Sequence, residues 1–227
     1  DFLLSLFAGL LPPLPPASSD LTYVSLGPSS ATYALPSLLE PPQIASVQPA
    51  DLTGFVAAPI AEGPLIGWFQ GRLEMGPRAL GNRSILADPR TEDSRDRVNK
   101  YVKHREIWRP FAPSMTVEGA DRYLCNWSNA PFMIKTFDTE PDSREEIQAV
   151  IHRGDETTRP QVVTPEANPR YHELITEFGE RTGVPVLLNT SFNDHGEPVV
   201  RTPVEALKDF YGMGLDYLVV EDIVVSK

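Results

Sequence analysis

The 227 residues carry 20 Lys and Arg against 31 Asp and Glu, a formal net charge of −11. The average field therefore repels polyanions and argues against a nucleic-acid or acidic-membrane partner. With 41% hydrophobic and 22% charged residues the usage is globular, and at roughly 150 residues per domain the length allows one large domain or one domain with an extension.

In chain order, Phe2 to Leu11 is the only sustained apolar run. It is shorter than the roughly 20 residues that cross a bilayer and lacks a basic start, so it reads as the end of an upstream element. The run Pro12-Pro13-Leu14-Pro15-Pro16 followed by Ala17-Ser18-Ser19 has linker composition, which places the start of the compact domain near Leu21. Proline-rich residues 35 to 64 predict a short helix at most. Leu65 to Phe69 predicts a strand, residues 71 to 81 a glycine-bearing loop, and Asp93 or Ser94 the cap of a helix reaching about Lys103. Further strands are predicted at Phe132 to Phe137, Ile147 to His152, Gln161 to Thr164, Val184 to Leu188, and Tyr217 to Val225 with a break at Glu221-Asp222. Helices are predicted at Asn168 to Thr182, stopped by Gly183, and at Pro203 to Met213 behind the cap residue Thr202. Strands alternating with helices imply an α/β fold with a mixed sheet.

The charge is uneven. Residues 71 to 109 hold 10 Lys and Arg against 6 Asp and Glu, a local +4 that leaves −15 elsewhere, as expected for an anion site on an acidic protein. Arg72, Arg78 and Arg83 lie on or beside the glycine loop, and guanidinium forks bind phosphate oxygens in pairs. The competing reading is that these arginines are solvated, or paired with Glu74 and Asp88. Arg95, Asn99 and Lys103 share one helix face at i,i+4 spacing, and Arg109 is held by the rigid Pro110-Phe111-Ala112-Pro113 turn. Asn189, Thr190, Ser191 and Asn193 follow an apolar strand, where ligands bind in open α/β sheets, although Asn193 and Thr190 also suit a self-capping turn.

No Walker loop or dinucleotide glycine pattern is present. The four histidines lack metal-ligand spacing, and of these only His152, near Arg159, is a site candidate. The lone Cys125 forms no internal disulfide and no cysteine zinc cluster, which fits a reducing cytoplasm.

Three motifs in order carry a resemblance. They are Gly71 to Asn82 with Arg83-Ser84-Ile85-Leu86-Ala87-Asp88-Pro89-Arg90; Val102-Lys103 with Arg105-Glu106 and Arg109-Pro110-Phe111-Ala112-Pro113-Ser114; and Leu188-Asn189-Thr190-Ser191-Phe192-Asn193. Together they resemble the C-terminal domain of the nodulation and antibiotic O-carbamoyltransferases over about Leu65 to Val225, with Ser25 to Ser29 similar to the family's approach to that domain. The resemblance implies a YrdC-like α/β (α+β) fold, a twisted mixed sheet flanked by helices, spanning 21 to 227. It implies formation of O-carbamoyladenylate from carbamoyl phosphate and ATP, the nucleotide acting as substrate with magnesium as an option. The positions matching carbamoyl phosphate ligands are Arg78, Lys103, Arg109, Arg159, Asn189 and Ser191, with Arg72 and Arg83 as further substrate-binding candidates. Arg78→Ala or Lys103→Ala is expected to abolish binding and leave the fold intact.

The family's third segment reads His-x-Asp-Gly-Thr-x-Arg-x-Gln, whereas here His152 to Gln161 is one residue longer. A separate N-terminal domain, in cis or trans, holds the family's iron and passes the carbamoyl group to a hydroxyl acceptor. Without it this chain is not expected to complete transfer. The alternatives are a threonylcarbamoyl-adenylate synthase-like activity in tRNA modification, or a non-catalytic anion-binding module.

Overall fold

The structure, a computed structural model, describes residues 25–29, 45–104, 106 and 109–227. The predicted upstream run, the linker and the domain start near Leu21 lie outside the described residues. The elements in chain order are β1 (Ser25–Ser29), β2 (Ala45–Val47), α1 (Leu52–Glu62), β3 (Ile66–Phe69), β4 (Arg72–Glu74), β5 (Arg83–Ala87), α2 (Glu92–Val98), β6 (Ala112–Met115), α3 (Val117–Tyr123), β7 (Phe137–Asp138), β8 (Thr157–Thr158), β9 (Gln161–Val162), α4 (Pro169–Thr182), β10 (Val186–Ser191), α5 (Pro203–Gly212), β11 (Tyr217–Val220) and β12 (Ile223–Ser226).

One eight-stranded mixed sheet runs β2-β12-β11-β3-β5-β10-β6-β9, parallel at β11–β3 and β6–β9 and antiparallel elsewhere. Every residue of β3, β5 and β6 is buried, so both faces of the central sheet are covered, as in α/β folds. The α/β expectation therefore holds. Helix α4 packs on α1, β10 and β6, while α5 packs on β11 and β3. The cause is patterning: α4 buries Tyr171, Leu174, Ile175 and Phe178 at helical spacing.

Both long predicted helices are found with their end signals. Asn168 caps α4 and Gly183 closes it in the left-handed region, while Thr202 and Glu205 form a capping box on α5. The Glu221-Asp222 break is a hairpin turn between β11 and β12, with Glu221 at φ 51°.

Other expectations change. Residues 35 to 44 are outside the description, but Leu52–Glu62 forms an 11-residue helix despite Pro59, capped by Asp51 and ended by Gly63. Ile147 to His152 is a 3-10 turn at Gln148–Val150 rather than a strand. Its Ile147, Ala149 and Val150 are buried, so the apolar signal marks burial without marking extension. Of the predicted 132 to 137 strand only Phe137 is extended, pairing up with Asp138 as β7, and Met133 sits at φ 53°. The helix predicted to reach Lys103 is capped by Thr91 and gives way at Asn99 to a π-helical turn, Asn99–Lys103.

Gly81 is the backbone position with least freedom. It adopts φ +99°, a Cβ there would lie 2.2 Å from Tyr171 Cδ1, and its carbonyl accepts from Trp68 Nε1 at 2.9 Å. Gly71 also has positive φ, yet nothing lies within 4 Å of its Cβ position. Gly81→Ala is therefore expected to cost on the order of 3 kcal/mol and Gly71→Ala about 1. Thermal denaturation followed by circular dichroism should show a several-degree gap between the two variants.

Candidate functional site

Antiparallel pairing brings four chain segments to one end of the sheet. Strand β10 lies between β5 and β6, with Asn189 opposite Leu86 and Ala112, and Ser191 opposite Ser84. The polar C-terminal end of β10 therefore meets the Arg109–Phe111 turn leading into β6. The parallel partner β9 sets Gln161 beside Ser114, which carries Arg159 to the same edge. Residues 76 to 82 close the remaining side.

Two adjoining clefts open there. The smaller, about 140 Å³, is lined by Arg78, Phe111, Met133, Arg159, Asn189 and Ser191 among others. The larger, about 400 Å³, includes Arg109, His152, Asp155, Thr157 and Arg159. Pro110, Phe111, Ala112 and Arg159 border both.

Arg78 and Arg159 face the small cleft, and among the described residues neither has a carboxylate partner. The Arg159 Nε is buried with no acceptor. Burial above all, and the charge of Arg78 beside it, hold the Arg159 pKa below its ordinary value. Two like charges, one of them partly desolvated, are an unfavourable arrangement that an anion would relieve.

The pairing of the loop arginines with Glu74 and Asp88 is not what the structure contains. Asp88 bonds Arg90, with Nη2 to Oδ2 at 2.6 Å. Glu74 Oε1 accepts the backbone N–H of Leu80, Asn82 and Arg83 at 2.8, 2.7 and 3.1 Å, clamping the loop that carries Arg78.

The other expected residues separate. Arg83 is fully buried, donating to the carbonyls of Gln70, Asn82 and Gly71 and stacking 3.5 Å from the Phe69 ring centroid; it lines neither cleft. Arg72 is on β4, paired with β1, and lines neither cleft. Arg109 lies on the rim of the larger cleft, exposed and 3.4 Å from Glu106. Lys103 is buried. Its Nζ donates to Ser191 O and Oγ at 2.7 and 3.3 Å and lies 3.0 and 2.9 Å from Asn193 O and Oδ1. It braces the end of β10 without lining either cleft.

The lengthened segment keeps its family spacing at the C-terminal half. Asp155-Glu156-Thr157 stands where the family pattern has Asp-Gly-Thr, and Glu156 takes φ 58°, a left-handed conformation natural for glycine. The extra residue is absorbed between His152 and Asp155, whose side chains still meet at 2.8 Å. His152, Thr157 N–H and Thr157 Oγ together hold the Asp155 pKa down to about 2, the His152 bond contributing most. Among the described residues no group of three or more His, Cys, Asp or Glu is placed to hold a metal ion, and no helix is long and apolar enough to cross a membrane.

Residues 57–227 match the protein family described as Carbamoyltransferase C-terminus. The chain belongs to that family. The nodulation protein NolNO of Sinorhizobium fredii is 46% identical over 180 residues, covering 78% of this chain and 26% of that protein. The 3'-hydroxymethylcephem-O-carbamoyltransferase of Streptomyces clavuligerus is 40% identical over 142 residues, covering 63% and 26%. An uncharacterized protein of Synechocystis, sll1178, is 38% identical over 226 residues, covering 89% and 37%. This carbamoyltransferase C-terminus thus spans between about a quarter and two fifths of these three relatives' lengths. Full-length HypF, solved in a phosphate- and nucleotide-bound form, superposes at TM-score 0.53 with 16% identity, covering 77% of this chain and 25% of that one. That likeness supports the YrdC-like fold.

Sequence reasoning assigned no role to Ser114 or Gln161. Their signal was a polar residue in a strand that is otherwise buried and mostly apolar.

The bracing by Lys103 revises the expectation that its removal spares the fold. Lys103→Ala should lower unfolding free energy by on the order of 2 kcal/mol, since it strips donors from a half-buried strand end; denaturant titration measures it. Arg159→Met should do the opposite, raising the unliganded melting temperature by about 1–3 °C through loss of the repulsion with Arg78. Inorganic phosphate should raise the wild-type melting temperature and leave that of Arg159→Met unmoved.

Proposed function

We propose that residues 21–227 form the C-terminal domain of an O-carbamoyltransferase that takes carbamoyl phosphate and ATP to O-carbamoyladenylate. An N-terminal domain, in cis or trans, would hold iron and deliver the carbamoyl group to a hydroxyl acceptor. The observation that carries this reading is the Arg78–Arg159 pair, two guanidinium groups without carboxylate partners among the described residues, on a cleft of about 140 Å³, a volume suited to a small acyl phosphate. Arginine forks match phosphate oxygens in pairs and act on charge as it develops.

The adjoining cleft of about 400 Å³ falls within the range of small-molecule sites and in this reading takes the nucleotide, with Arg159 on the shared border serving both ligands. Arg109 on its rim supplies a further donor. Ser191 lines the smaller cleft with its hydroxyl donating to Asn193 Oδ1 at 2.6 Å, and Lys103 acts by fixing that strand end. Magnesium in this reading travels on the nucleotide phosphates. Atom balance defines the products: joining the carbamoyl group to the α-phosphate breaks the carbamoyl phosphate anhydride and the α–β bond of ATP. Water supplies one oxygen, and phosphate and pyrophosphate leave.

The full chain should bind carbamoyl phosphate in isothermal titration calorimetry. Arg78→Ala and Arg159→Ala should each weaken binding at least about tenfold, the loss expected for a charge-assisted pair. Carbamoyl phosphate should support pyrophosphate release from ATP. Release supported instead by threonine and bicarbonate would replace this reading with threonylcarbamoyl-adenylate formation, and anion binding with no adenylate product would leave an anion-binding module.

A further inference from the structure

The balanced reaction above consumes a water, and a water that attacks a carbonyl carbon has to give up a proton. The described residues lining the smaller cleft offer no base. Its ionisable groups are the guanidinium groups of Arg78 and Arg159, and the rest are amides, hydroxyls or apolar side chains. In the larger cleft, which shares Arg159 with it, His152 and Asp155 are the described lining residues of a type that takes up a proton.

Asp155 is excluded by its own bonds. Its Oδ1 accepts from His152 Nδ1 at 2.8 Å, from Thr157 N at 3.1 Å and from Thr157 Oγ at 2.8 Å, and these bonds hold its pKa down to about 2. A carboxylate that stays charged only accepts, so the proton between the two residues sits on His152 Nδ1. Nε2 is left as the nitrogen with the lone pair. The turn around the ring is closed by His152 N donating to Thr157 O at 2.8 Å and Glu156 N donating to His152 O at 2.9 Å. Gly154 lets that turn pass close to the imidazole, since a Cβ there would stand 3.1 Å from His152 Cε1. The His152 side chain is 40% exposed on the cleft it lines, within reach of water.

We propose that His152, oriented by Asp155, is the general base that takes a proton from the water attacking the carbamoyl carbon. This rests on the carbamoyl phosphate reading above and assigns its water step. The water oxygen bonds to carbon, the bond from that carbon to the phosphate oxygen breaks, and phosphate leaves with the electron pair. One water proton passes to Nε2 and on to solvent. The other stays on carbamic acid until the departing phosphate takes it. A carbamate oxygen then attacks the α-phosphorus of ATP and pyrophosphate leaves, a step with no proton to move. Asp155 acts through the imidazole and is a positioning residue, as in other carboxylate–imidazole pairs.

Supplying carbamate directly separates the two steps. Pyrophosphate release from ATP by the full chain is followed with either carbamoyl phosphate or freshly dissolved ammonium carbamate as co-substrate. His152→Ala should slow the carbamoyl phosphate reaction about 100-fold or more and keep the carbamate reaction within about threefold, since general base catalysis acts on the first alone. Asp155→Asn should show the same split with a smaller loss, and it carries the comparison if circular dichroism finds His152→Ala unfolded. Equal losses in both reactions, or no loss in either, would overturn the assignment. The wild type adds a test free of any variant: in water enriched in heavy oxygen, phosphate released from carbamoyl phosphate should stay unlabelled, and label in it would place the attack at phosphorus and overturn the step. Wild-type release with carbamate but not carbamoyl phosphate would also overturn it while keeping adenylate formation, whereas release with neither would overturn the reading beneath.

Discussion

Arg78 and Arg159 share a cleft with no carboxylate between them among the described residues, and the surrounding structure ties down the backbone beside Arg78 and buries part of Arg159. Side chains of like charge on a surface ordinarily swing apart into water. Here Arg159 is partly buried, with its Nε out of reach of an acceptor. The loop bearing Arg78 is tied down on both sides of its turn. Glu74 takes three of its amides, and Asn189 and Gln161 hold the carbonyls of Ala79 and Leu80. The repulsion thus has little loop motion through which to relax, which is one condition for electrostatic preorganisation.

The same requirement divides labour among the cations of residues 71 to 109. Arg90 bonds Asp88, Arg95 bonds Glu92 and Asp96, Arg97 bonds Asp216 and Gly63 O, and Arg83 gathers three carbonyls against Phe69. Most of these arginines therefore build the frame. An excess of basic residues locates an anion site to within a segment, but which guanidinium is left for a ligand depends on partners the sequence does not place.

That distinction also marks how far the sequence could be read. Helices α4 and α5 were legible to their caps, because Asn168, Gly183, Thr202 and Glu205 act on backbone within a few residues. The Ile147 to Val150 run was misread because burial in a 3-10 turn and burial in a strand use the same residues. Strand β5 was hidden by Arg83 and Ser84, polar groups whose place in the sheet is set by β3 and β10. In the site, Asn189 and Ser191 were legible from their position after an apolar strand. Lys103 was legible as a residue type but not in its role, since its acceptors lie about 90 residues away on Ser191 and Asn193. The Glu156 backbone shows a further limit: it stands where the family pattern has glycine, and nothing in its residue type announces a φ of 58°.

Charge and polarity make different contributions in such a cleft. Two arginines attract any phosphate, and their field falls off too gradually to distinguish an amine from a methyl group one bond beyond the anhydride. A neutral oxygen acts only at contact distance and along its lone pairs, so it adds little attraction and much discrimination. Here the buried Gln161–Ser114–Asn189 chain gives its amide donors to the carbonyls of Leu80 and Ala79, so the neutral groups fix the loop that carries Arg78 while the guanidinium groups supply the charge.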